Sequence, residues 1–324
     1  MKIFIIGGAG MIGRKLAERL ARDGQLGGKA ISSLVLHDVV QATVPAAAKV
    51  PVKIVTGDLP AAGEAEKLVA GRPDIIFHLA AIVSGEAEQD FDKGYRINMD
   101  GTRSLLEAVR AAGHKPRIVF ASSIAVFGAP FPEAIGDEFF NTPLTSYGTQ
   151  KAISELLVSD YTRKGFLDGI SLRLPTICVR PGKPNKAASG FFSSIIREPL
   201  AGQEAVLPVA DSVMHWHASP RAAVEFMRHA ATLDTARLGP RRALTMPGLA
   251  VTVAEQIAAL RKVAGDRVVA RIRREPDPFI EGIVAGWPRR LAAIRAQDLG
   301  FRPDASFEEI VRIHIEDELG GRVA

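Results

Sequence analysis

Apolar residues in this chain follow two alternating patterns. Short apolar runs at 2–6, 34–38, 52–55, 74–81 and 117–121 have strand length. Between them, apolar positions recur at three-to-four spacing, as in Leu16, Ala17, Leu20 and Ala21, and predict helices. Helices are expected over 61–70, 95–112 and 146–164. Five strands alternating with helices predict an α/β fold built on a doubly wound parallel sheet. Beyond it the pattern predicts a strand at 169–174, a helix from 190 to 198 and strands at 243–245 and 268–272. Ser219-Pro220 is a helix start running to about 232, with a capping side chain and proline at the first turn. Thr252 with Glu255, and Ser306 with Glu309, have capping-box spacing. Pro276, Pro278, Pro288 and Pro303 divide the last part into short pieces.

The first apolar run leads without a spacer into Gly7-Gly8-Ala9-Gly10-Met11-Ile12-Gly13, and a helical pattern begins at once. Strand, glycine turn and helix is an arrangement that cradles a pyrophosphate. Gly7 permits the turn, Gly10 lets phosphates approach bare backbone, and Gly13 lets helix pack on strand. The helix N-terminus offers N–H groups to the anion. The spacing is G-x-x-G-x-x-G rather than G-x-G-x-x-G. Asp38 ends the second run, where a carboxylate accepts bonds from the adenosine ribose hydroxyls and repels a 2′-phosphate. Val39-Val40 supplies no arginine, so the expected cofactor is NAD rather than NADP. Asp58 and Leu59 follow the third run, at the place of an adenine edge. Leu79-Ala80-Ala81 ends the fourth with small side chains that let a cofactor lie on backbone.

Composition narrows the picture. The 324 residues, 47% hydrophobic, are enough for one large or two modest domains. No run approaches ~18 apolar residues, so no membrane span is expected. Met1 leads almost directly into a strand, leaving no room for a signal peptide. Cys178, the single cysteine, rules out an internal disulfide and fits a reducing cytoplasm. The net charge of +5 is mostly interleaved with acids, and residues 261–274 lack stacking aromatics, so a solvated basic face is expected rather than a nucleic-acid site. His215 and His217 are two apart and have no third ligand, so no metal site is expected.

The fifth run ends in Ser122-Ser123, and a helix opens at Ser146-Tyr147-Gly148-Thr149-Gln150-Lys151. Tyr147 and Lys151 are four apart and share a helix face. A tyrosine with its ordinary pKa near ~10 is a poor base at neutral pH, but a close ammonium favours the phenolate. The pair can therefore deliver a tyrosinate that takes a hydroxyl proton. In a parallel sheet, ligands bind beyond the carboxyl ends of the strands, which is where Ser123 falls.

In this order, Gly7/Gly10/Gly13, Asp38, Asp58-Leu59, Leu79-Ala80-Ala81, Asn98, Ser122-Ser123 and Tyr147/Lys151 resemble an extended short-chain dehydrogenase/reductase of the NAD-dependent epimerase/dehydratase family. The resemblance implies a Rossmann domain over 1–174, with later pieces near 215–246 returning to it. It also implies a smaller, partly interleaved substrate-binding domain, mainly 175–324. It makes Tyr147 the acid/base, with Lys151 on the nicotinamide ribose and Ser123 on the substrate oxygen. Met11, Ile12, Asn98, Pro175 and Ile177 join the cofactor set. Ser84, Arg180, Asn185, Ser189 and His217 join Ser123 and Tyr147 at the substrate. Phe127 stands where many relatives carry tyrosine. A homodimer through the tyrosine-bearing helix is a further implication.

The loop from Val179 to Ser189 places Arg180, Lys183 and Lys186 with Asn185 among prolines, which suits a carboxylate or a phosphate. Residues 211–220 lack the arginine–aspartate pair usual in nucleotide-sugar members. The tyrosine motif, this loop and His215-Trp216-His217 resemble members that oxidise a four-carbon sugar acid at C2. A nucleotide-sugar epimerase or dehydratase and a non-catalytic NAD-sensing protein are the alternatives.

Overall fold

The computed structural model of the chain describes residues 1–182 and 188–324. The apolar runs form β1 (Lys2–Ile6), β2 (Ser33–Asp38), β3 (Val52–Thr56), β4 (Ile75–His78) and β5 (Arg117–Ser123). β6 (Asp168–Leu174) and β7 (Ala243–Thr245) complete a seven-stranded parallel sheet in the order β7-β6-β5-β4-β1-β2-β3. Ile3, Ile5, Leu34, Phe77 and Val119 are fully buried, as the strands of a sheet covered on both faces must be. The helices around it include α1 (Met11–Asp23), α2 (Glu64–Val69), α3 (Gly101–Ala112) and α4 (Ser146–Arg163). Strand order reverses at β1, which lies between β2 and β4. The crevice beyond the ends of β1 and β4 is therefore the switch point where this architecture binds ligands.

Between α1 and β2 the chain forms a miniature hairpin, Gln25–Leu26 against Lys29–Ala30. Gly27 and Gly28 have φ of 57° and 75°, as a tight two-residue hairpin turn requires. The predicted helix over 95–112 is two elements: a π-helical turn, Tyr95–Asp100, runs directly into α3.

The chain divides into two compact units, one of residues 1–126, 145–173 and 224–245, the other of 127–144, 174–223 and 246–324. The first holds the parallel sheet. In the second, Thr176–Ile177, Met214–Ala218 and Leu249–Thr252 make a three-stranded sheet. Helices Gly190–Leu200, Val253–Ala264 and Phe307–Glu318 enclose Phe192, Ile195, Ile196, Leu260, Ile310 and Val311. Thr252 and Glu255 form the expected capping box. Ser306 accepts the Glu309 N–H, but the Glu309 carboxylate reaches one residue further back, to the Ala305 N–H at 2.6 Å. The strand expected at 268–272 is displaced. Gly265 opens a helical turn, Asp266–Val269, which buries Val268, and extended backbone begins only at Ile272–Arg274.

Candidate active site

The glycine turn is built by backbone. Gly7 and Gly8 donate to the His37 carbonyl at 2.8 and 3.0 Å, tying β1 to β2. Gly7 has φ +90°, and a Cβ there would lie 2.6 Å from the Ala80 nitrogen. A Cβ on Gly13 would lie 2.1 Å from the Gly7 oxygen, whereas one on Gly10 meets only that oxygen, at 3.3 Å. Gly10 caps α1 without a side-chain bond. The first-turn N–H groups of Met11, Ile12 and Gly13 have no partner within the helix, the arrangement with which a helix N-terminus can receive an anion. Such a cradle fits a dinucleotide pyrophosphate.

Asp38 reaches the glycine turn, and its Oδ2 accepts the Ala9 N–H at 2.9 Å. Asp58, half exposed, pairs with Arg96 at 2.7 Å, and Leu59 beside it is buried. Beneath them His37 Nε2 lies 3.2 Å from Glu64. Burial lowers the His37 pKa, and the Glu64 carboxylate opposes that effect.

On the other side of the switch point, Leu79 donates to the Ile6 carbonyl at 2.8 Å, carrying Leu79, Ala80 and Ala81 alongside Gly7. The next peptide is clamped. Asn98 accepts the Ile82 N–H at 2.9 Å and donates to its carbonyl at 3.3 Å, and to Gln150 Oε1 at 2.7 Å. The Asn98 amide, expected at the cofactor, is engaged by protein and braces the segment before Ser84, which opens the short helix Ser84–Gln89. The Asn98 carbonyl accepts from the Thr102 hydroxyl at 2.7 Å. With that proton committed, His78 Nε2 donates to Thr102 Oγ1 at 2.9 Å and His78 is neutral. Burial, with Lys151 nearby, takes its pKa down to about 3.

α4 begins at Thr145, whose hydroxyl accepts the Gly148 N–H at 3.1 Å, and Glu88 accepts the Ser146 N–H at 2.9 Å. One turn in, Lys151 is 2% exposed and donates to the Ala121 carbonyl at 2.7 Å. Its Nζ lies 4.7 Å from the Phe120 ring centre and 5.7 Å from that of Tyr147. Burial lowers the Lys151 pKa to about 7, while Glu155 acts to raise it. Ser123, partly exposed at the end of β5, accepts the Ala125 N–H at 3.1 Å. Tyr147, Lys151 and Ser123 thus all stand at the carboxyl end of the sheet.

The second unit holds the other expected residues. Pro175 and Ile177 are buried at the Thr176–Ile177 strand. The Arg180 backbone is fixed, its N–H donating to Ser193 at 3.0 Å and its carbonyl accepting from Arg197 at 2.7 Å. Ser189 precedes the helix Gly190–Leu200 without capping it by its side chain. Asn185 lies outside the described residues. Phe127 is buried, edge-on to Phe139 at 5.9 Å.

His217 requires a correction. It is 0% exposed, 2.9 Å from Gln256 and ringed by Phe192, His215 and Phe307. It sits in the core of its unit, not on a surface that meets substrate. The strand Met214–Ala218 explains this, because His215 to Ala218 are all buried. His215 has both ring nitrogens bonded, to the Pro288 carbonyl at 2.8 Å and to Thr176 Oγ1 at 2.7 Å. Among the described residues no group of three or more His, Cys, Asp or Glu side chains is placed to hold a metal.

Four residues that the sequence left unmarked bond to the expected ones or to their neighbours: Arg96 to Asp58, Gln150 to Asn98, Glu155 to Ser122, and Arg173 to Glu155. Glu155 carried a usable signal, since four residues past Lys151 is the same helix face. Arg173 did too, as a cation inside an apolar strand. Arg96 and Gln150 gave none.

Residues 3–229 match the NAD dependent epimerase/dehydratase family. The chain is 49% identical to a D-erythronate dehydrogenase of Cupriavidus necator over 98% of both chains. It is 43% identical to one from Haemophilus influenzae, over 98% of this chain and all of that one. A crystal structure described as a nucleoside-diphosphate-sugar epimerase from Agrobacterium tumefaciens matches with a TM-score of 0.97 at 64% identity, covering 100% of this chain and 96% of that one. A seven-stranded parallel sheet, a glycine turn at its switch point and a Tyr–Lys pair at its edge accompany these likenesses, and the chain belongs to the NAD-dependent epimerase/dehydratase family.

Proposed function

We propose that this chain is an NAD-dependent dehydrogenase that oxidises D-erythronate at C2 to 2-dehydro-D-erythronate. The observation that carries the reading is the Lys151 ammonium, tied to Ala121 and 5.7 Å from the centre of the Tyr147 ring, in a chain 49% identical over nearly its whole length to a D-erythronate dehydrogenase. Tyr147 as phenolate takes the C2 hydroxyl proton while the C2–O bond becomes a carbonyl. NAD, when bound, accepts the hydride that leaves C2. Ser123 donates to the substrate oxygen, and Lys151 stabilises the phenolate and holds the nicotinamide ribose. Asp38 and the first turn of α1 hold the adenosine ribose and the pyrophosphate. Arg180 binds the substrate carboxylate. Cytoplasmic operation and a homodimer through α4, where Leu156 is 67% exposed, complete the reading.

A second reading follows from the description of the 64% identical structure as a nucleoside-diphosphate-sugar epimerase. Absence of the arginine–aspartate pair from residues 211–220 favours the sugar acid. Four- to six-carbon aldonates and UDP-glucose, each supplied with NAD, separate the two. Stoichiometric NADH from D-erythronate and none from UDP-glucose is expected. Epimerised UDP-glucose without net NADH, and no reaction of any aldonate, would overturn the proposal.

A further inference from the structure

Behind Lys151 lies a buried ion pair. Glu155 is 2% exposed and receives the Arg173 guanidinium through Nη2 at 2.8 Å and Nε at 3.0 Å. The same carboxylate accepts the Ser122 hydroxyl at 2.6 Å. Ser122 stands between Ala121, whose carbonyl receives Lys151, and Ser123. Tyr147, Lys151 and Glu155 are spaced by four along α4 and share one face. A buried ion pair is weak evidence for stability, because desolvation offsets its attraction, so its placement beside reactive groups calls for another account.

We propose that Glu155 is a positioning residue for proton transfer: clamped by Arg173, it pins the end of β5 through Ser122 and sets a counter-charge behind the Lys151 ammonium. The inference rests on Tyr147 being the base. Among the described residues, the titratable groups about Lys151 are Tyr147 and Glu155 of its own helix, His78 from β4, and Arg173 of β6 behind Glu155. His78 is neutral, so before Tyr147 ionises Glu155 carries the negative charge among them. Burial drives Lys151 toward the neutral amine and Glu155 acts against it. Without that carboxylate the amine loses its proton at lower pH, the phenolate loses its stabilising charge, and Tyr147 ionises at higher pH. Glu155 is one helical turn from Lys151 and two from Tyr147, so its effect through the lysine outweighs its direct repulsion of the phenolate.

The test is the pH dependence of kcat, with NAD affinity measured alongside. Glu155→Gln should keep NAD affinity within about threefold and move the acid limb of kcat upward by roughly half a pH unit or more. Because that variant leaves Arg173 buried without its counter-charge, the double variant Glu155→Gln/Arg173→Met is the second arm, and the same upward shift is expected. A folded variant of either kind whose limb stays in place, with kcat unchanged or lowered equally at every pH, overturns the proposal. Tyr147→Phe separates the two readings. If it retains near-normal turnover, the base assignment falls. If it is inactive while the Glu155 variants show no shift, only the role of Glu155 falls.

Discussion

Lys151 donates a 2.7 Å hydrogen bond to the carbonyl of Ala121, so the ammonium on α4 is fastened to the end of β5 one residue before Ser122-Ser123. That bond joins the two elements carrying the expected proton-transfer groups. It also explains how a lysine 2% exposed keeps a polar partner.

The glycine turn separates cofactor binding from folding. A Cβ at Gly10 meets the Gly7 oxygen at 3.3 Å, a tight contact that a shift of a few tenths of an ångström relieves, so Gly10→Ala should still fold while its methyl group crowds the N-terminus of α1. NAD affinity should fall about tenfold or more, with little change in Tm. Gly13→Ala places its Cβ 2.1 Å from the same oxygen and should lose thermal stability as well. Calorimetric titration with NAD and thermal unfolding of both variants check the contrast.

Asp38 presents its carboxylate to the Ala9 N–H at the glycine turn. Asp38→Ser removes the repulsion toward a 2′-phosphate and one acceptor for the ribose hydroxyls. The NAD-over-NADP preference in kcat/KM should shrink about tenfold or more, mainly through weaker use of NAD. An unchanged ratio would move cofactor selection elsewhere.

Three of the buried histidines, His78, His215 and His217, are held neutral. Burial takes His215 down to about 4 and His78 to about 3, and His217 well below its ordinary value. In the unfolded chain each binds a proton near pH ~6.5. Between that pH and the folded values the unfolded state therefore holds more protons, so stability rises with pH there. The contribution is fully present above ~6.5 and is lost as pH falls toward 4 and then 3; His215 alone accounts for up to ~3 kcal/mol. Thermal unfolding from pH 8 to 4 should show Tm falling below pH ~6.5, and His215→Gln should flatten part of that slope.

Arg180 is read as the carboxylate-binding cation. Arg180→Ala should raise KM for D-erythronate about tenfold or more and leave the NAD Kd unchanged. An unaltered KM would assign the carboxylate to another cation.

The parts legible in the sequence were those whose cause is local. Gly7, Gly10 and Gly13 between a strand and a helix marked the turn, and the apolar runs marked the parallel sheet. Tyr147 and Lys151 four apart marked the helix face. What stayed hidden depends on partners far along the chain. The Asn98 amide is committed to Ile82, sixteen residues away, and to Gln150, fifty-two away, and no local pattern encodes that pairing. His217 reads as a polar residue in a mixed segment until a strand places it beside Phe192 and Gln256. At 268–272 the β-branched residues favoured a strand, but burying Val268 from a helical turn after Gly265 was the better packing.

The most direct measurement is a single-turnover comparison of wild type with Tyr147→Phe, each saturated with NAD and mixed with D-erythronate. Rapid NADH formation by the wild type is expected. The variant should bind NAD equally well and form NADH roughly a thousandfold more slowly or worse. NADH formed by Tyr147→Phe at a rate close to that of the wild type would contradict the assignment of Tyr147 as the base.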